Sequence, residues 1–165
     1  KPDRAAKNAE AFDNLGGLAA EFDTPTALAL FDRALQATKK IADARERESQ
    51  FNWIIADVAR INFDRAMTLM HEAKQEDESL RYVVGALSQT DTAVALKAAS
   101  QIQSCYPLSF AFRDYGNLDA LAKGDAWGTI AGLERVVAIC REGKGPESMA
   151  EAAAQIWQVY THYNQ

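Results

Sequence analysis

Apolar residues recur along this chain at intervals of three and four, and no stretch shows the one-by-one alternation of a half-buried strand. Phe12, Leu15 and Ala19 form one stripe, and Leu28, Phe31 and Leu35 the next. Further stripes are Phe51, Ile54, Ile55 and Val58; Phe63, Ala66, Met67 and Met70; Leu80, Val83, Val84 and Leu87; and Val94, Leu96 and Ile102. Helix-starting residues stand between them. Pro2-Asp3, Thr24-Pro25, Asp43, Asn62, Glu76-Asp77-Glu78, Thr90-Asp91, Tyr106-Pro107 and Gly124-Asp125 each supply a capping oxygen, an early proline or negative charge where a helix N-terminus favours it. Gly143-Lys144-Gly145-Pro146 separates off a last helix. The pattern predicts nine helices, the seventh unbroken from Tyr106-Pro107 to Gly124, and an all-α fold.

Four segments repeat one another. Leu15 to Leu28, Ile54 to Met67 and Val83 to Leu96 align without a gap, and Leu118 to Ile130 is a weaker copy. A small residue (Gly17, Ala56, Gly85) precedes an alanine (Ala27, Ala66, Ala95), and a second (Ala20, Ala59, Ser88, Ala122) stands three before Asp23, Asn62, Asp91 and Asp125. Helix, capped tight turn, helix is the unit this predicts. Ala56 and Gly85 are expected to be equivalent, tightly packed helix crossings. The predicted arrangement is a single domain over 1–165, with antiparallel hairpins at about 4–40, 43–76, 78–104 and 107–141 stacked as a superhelix. A capping helix over 147–163 completes it.

These columns resemble tetratricopeptide-type repeats, most clearly at Ala56, Ala59 and Ala66 and at Gly85, Ser88 and Ala95, over about 130 residues. The resemblance implies an α-solenoid that binds a protein or peptide in a groove, a scaffold or adaptor without catalysis. Two other readings stay open: an enzyme or small-ligand-binding protein with a pocket in the concave face, and a structural segment of a larger repeat protein.

Composition narrows the partners. The net charge of −5 argues against a nucleic-acid surface, which needs clustered Lys and Arg, and no apolar run approaches a membrane span. No nucleotide, phosphate-loop or serine-hydrolase signature is present, and His71 and His162 have no partners at metal-ligand spacing, so neither cofactor nor metal is expected.

Aromatic placement singles out candidate partner-binding residues. Trp53 points away from the Phe51–Val58 stripe beside Asp57 and Arg60; Tyr82 holds the matching position of the next unit, and Tyr115 lies one residue from it in the fourth. They could form a ladder along a groove, where aromatics and Arg make binding hot spots, or pack between hairpins. The last helix carries Ile156, Trp157, Val159, Tyr160 and Tyr163, enough apolar surface for a homodimer contact. Cys105 and Cys140 fall at adjoining ends of one hairpin and are either bridged or reduced. Reduced thiols match the expected cytoplasmic location; a bridge implies a secreted or periplasmic one.

Overall fold

The computed structural model describes residues 4–74, 76–142 and 146–163, apart from the side chain of Tyr115. Among them are ten α-helices and no strand, so the fold is all-α. They are α1 (Arg4–Ala20), α2 (Thr24–Thr38), α3 (Ala44–Ile61), α4 (Phe63–Ala73) and α5 (Glu76–Leu87), then α6 (Thr92–Ala99), α7 (Cys105–Arg113), α8 (Asn117–Gly124), α9 (Ala126–Glu142) and α10 (Pro146–Tyr163). The chain divides into two compact units, Lys1–Ala73 and Lys74–Gln165. The expected start at Pro2-Asp3 and the Gly143–Gly145 punctuation lie outside the described residues.

The repeated segments fold into one turn made four times. Asp23, Asn62, Asp91 and Asp125 share an extended backbone, with φ of −149°, −155°, −147° and −154° and ψ of 92°, 89°, 82° and 92°. Each side chain accepts the N–H three residues on, from Thr26, Arg65, Val94 and Gly128 at 3.4, 2.9, 3.1 and 2.9 Å. Each backbone N–H donates back into the preceding helix, to the carbonyls of Ala19, Val58, Leu87 and Leu121 at 2.7–2.8 Å. One residue thereby closes one helix and opens the next, satisfying orphan groups on both sides. The residue four further on (Ala27, Ala66, Ala95, Thr129) is wholly buried in every copy, so only a small side chain fits there. Thr24, expected as the cap of α2, is its first helical residue instead, because Asp23 accepts the orphan N–H and Pro25 follows within the first turn.

The other small-residue column is less uniform than its alignment suggests. Ala56 is buried, Gly17 is exposed and Gly85 is half-buried. A Cβ on Gly85 would meet only the Asn117 side chain, at 3.6 Å, so position 85 is not the tight crossing expected of it. Close approach occurs at Gly16, against the Phe31 ring, and at Gly132, against the Phe112 ring.

The seventh helix is not continuous. A 3-10 turn over Asp114–Gly116 separates α7 from α8. Asp114 is extended (ψ 143°) and Gly116 has φ +74°, a conformation that favours glycine. Arg81 of α5 holds the break, reaching Asp114 at 2.5 Å and Glu78 at 2.5 Å. Just beyond it, the buried Asn117 amide donates to the Ala111 carbonyl at 2.9 Å and accepts from Ser88 Oγ at 3.0 Å, so it carries no unpaired polar group inward. Nine expected helices become ten through this one interruption.

Each unit has its own core. Phe31, Ile41, Ile54, Ile55, Val58 and Met70 are almost wholly enclosed in the first. Leu80, Leu108, Phe112, Leu121 and Leu133 are enclosed in the second. Full burial of a side chain of this size contributes about 1.5–3 kcal/mol.

Candidate functional site

Helix α3 begins where Asp43 accepts the Glu46 N–H at 2.8 Å, and its apolar stripe of Ile54, Ile55 and Val58 turns into the core. Residues 53, 57 and 60, spaced by four and three, are thereby aligned on another face. Trp53 is 48% exposed there. The Arg60 guanidinium donates to Asp57 Oδ1 at 2.9 Å. Burial raises the Asp57 carboxyl above its ordinary value, against the lowering pull of Arg60. Trp53, Asp57 and Arg60 therefore place an accessible ring and a partly exposed ion pair along one strip.

Helix α1 adds a residue that the sequence reading left out. Asp13 is only 9% exposed, and its Oδ1 has no hydrogen-bond partner among the described residues. Burial first, then the negative charges of Asp57 and Glu10, push its carboxyl up to about 7. That places it well above the range of an ordinary surface aspartate. A sequence signal for it exists. Asp13, Asn52 and Arg81 each stand ten residues before a turn cap, and all three have polar side chains largely withdrawn from solvent.

Tyr82 and Tyr115 belong to the second unit, and Trp53, Asp57 and Arg60 to the first. Tyr82 is half-buried, with the Arg81 guanidinium carbon 4.5 Å from its ring centroid. Burial works against the charge on Arg81, but its hydrogen bonds and ion pairs with Glu78, together with the Tyr82 and Asp114 interactions, raise its pKa overall. The Tyr115 side chain lies outside the described residues. Nearby on α7, Tyr106 is exposed and its ring lies tilted against that of Phe110, centroids 4.2 Å apart, and Arg113 covers the Phe110 ring at 3.7 Å.

Of the two states open to the thiols, the structure has the bridge. Cys105 at the start of α7 and Cys140 near the end of α9 are joined as a disulfide, with Cα atoms 4.8 Å apart. Among the described residues no cluster of three or more His, Cys, Asp or Glu is placed to hold a metal ion. No helix of the described residues is long and apolar enough to cross a membrane. Compared with known proteins, the chain matches no family model, no curated protein and no solved structure.

Proposed function

We propose that this protein is a non-catalytic scaffold that binds a protein or peptide partner through the α3 face. Trp53, Asp57 and Arg60 make the contact. The observation that carries the reading is the half-exposed Trp53 ring in line with the Asp57–Arg60 pair. Large aromatics and Arg are the side chains from which binding hot spots are built.

In the same reading the hairpins are tetratricopeptide-like repeats, and Tyr82 offers a contact of its own in the second unit. The identical capped turns support a repeat origin. Exposure of Trp157 and Tyr160 on α10 supports a self-association contact there. The Cys105–Cys140 bridge supports placement in a secreted or periplasmic setting, where disulfides persist.

Affinity capture from native extract, comparing the wild-type chain with Trp53→Ala and Arg60→Ala, tests the function. Both variants should keep the wild-type melting temperature within a few degrees and lose a specific partner. Retention of every captured partner by both variants would remove the α3 face from the proposal.

A further inference from the structure

A groove of about 340 Å³ lies between α1 and α2 in the first unit, within the size range of small-molecule sites. These helices run antiparallel from the turn at Asp23, so Arg4 faces Lys40 at one end, Phe12 faces Arg33 at the other, and Asn8 and Gln36 lie between. Ala5 and Ala37 leave the space that larger side chains would fill. Among the described residues lining it, three are cations and none is a carboxylate, on a chain whose net charge is −5. The local charge is thus opposite to that of the whole protein. Arg33 is held in place at its end, its guanidinium carbon 4.2 Å from the Phe12 ring centroid. From Arg33 to the end of α2 at Thr38 is five helical residues, and Lys40 lies two residues past it in the turn, so the two cations stand roughly 10 Å apart.

We infer that this groove binds a small, elongated dianion with an oxyanion at each end. Arg33 takes one end through its forked N–H donors, and Arg4 with Lys40 takes the other. The Asn8 and Gln36 amides line the stretch between them. The charge separation is a requirement of this site: a single anion engages only half of it. This inference stands apart from the α3 contact proposed above.

Calorimetric titration and backbone amide NMR of the intact protein at low salt test it, with succinate, suberate, octanoate, hexane-1,6-diyl bisphosphate and inorganic phosphate as probes. Suberate, whose carboxylates span about the distance from Arg33 to Lys40, should bind about tenfold or more tightly than octanoate or succinate, as a second charge-assisted contact requires. Its shifts should concentrate in residues 4–12 and 33–40. Arg33→Gln and Lys40→Gln should each lose about tenfold in affinity at unchanged melting temperature, while Lys123→Gln changes nothing. Suberate binding as tightly as the more highly charged bisphosphate identifies the terminal group as carboxylate, and a gain for the bisphosphate beyond its extra charge identifies it as phosphate. Equal binding of suberate and octanoate, insensitivity to both groove variants, shifts elsewhere, or no binding beyond that of inorganic phosphate would each overturn the assignment.

Discussion

Phe31 of α2 lies against Gly16 of α1 so closely that a Cβ at position 16 would stand 2.7 Å from its Cε1 and 2.8 Å from its Cδ1. The neighbouring Gly17 has nothing within 4 Å of the equivalent point. Both glycines lie inside α1, where alanine is worth about 1 kcal/mol more than glycine by propensity alone. Gly17→Ala should therefore stabilise the protein by about that amount. Gly16→Ala gains the same propensity but must displace a wholly buried ring, so it should be less stable than Gly17→Ala by about 1–3 kcal/mol. Urea midpoints of the two variants check the difference, and equal midpoints would mean that α1 and α2 do not meet at Gly16.

The Asp13 carboxyl gives the fold a pH dependence of definite sign. Its pKa rises from 3.8 to about 7 on folding, so between those values the native state binds more protons than the unfolded state. Stability should therefore fall as pH rises from about 4 to about 7, and the loss levels off above that. Its full extent is a few kcal/mol. Asp13→Asn removes the ionisable group. It should raise the unfolding free energy at pH 8, leave it nearly unchanged at pH 4, and flatten the profile between. Unfolding curves at pH 4, 6 and 8 would show this, and a variant profile parallel to the wild type would assign the dependence to other groups.

The Cys105–Cys140 bridge closes a loop across a sequence separation of 35. A loop of that length stabilises the native state by about 4 kcal/mol when the unfolded chain is tied. The unreduced, denatured protein should show no titratable thiol, and reduction should reveal two. The Cys105→Ser, Cys140→Ser double variant should melt well below the wild type. Two free thiols without reductant would contradict the bridge directly.

Gly116 lets the chain turn between α7 and α8 at φ +74°, with open space where a Cβ would sit. Gly116→Ala should cost about 1–2 kcal/mol from backbone strain alone. Gly116→Asn should cost less, because Asn visits the left-handed region more readily. If Ala and Asn prove equally tolerated, the interruption at Asp114–Gly116 does not exist in solution.

Much of this molecule was legible because its decisive interactions are local. Apolar spacing identified the helices, and each turn cap bonds to an N–H only three residues away, so Asp23, Asn62, Asp91 and Asp125 announce their turns in the sequence. The interruption after α7 was not legible, since the Arg81–Asp114 pair that holds it joins residues 33 apart, and glycine alone does not distinguish a helix end from a helix interior. Adjacent glycines at 16 and 17 read alike; only the placement of the Phe31 ring separates them. The face of α3 that carries Trp53, Asp57 and Arg60 followed from helical period, whereas the burial of Asp13 and its electrostatic coupling to Asp57 depend on how α1 and α3 pack. Capping and periodicity are settled within a few residues of chain. Close packing, desolvation and the pairing of Cys105 with Cys140 arise only when distant segments share the same space.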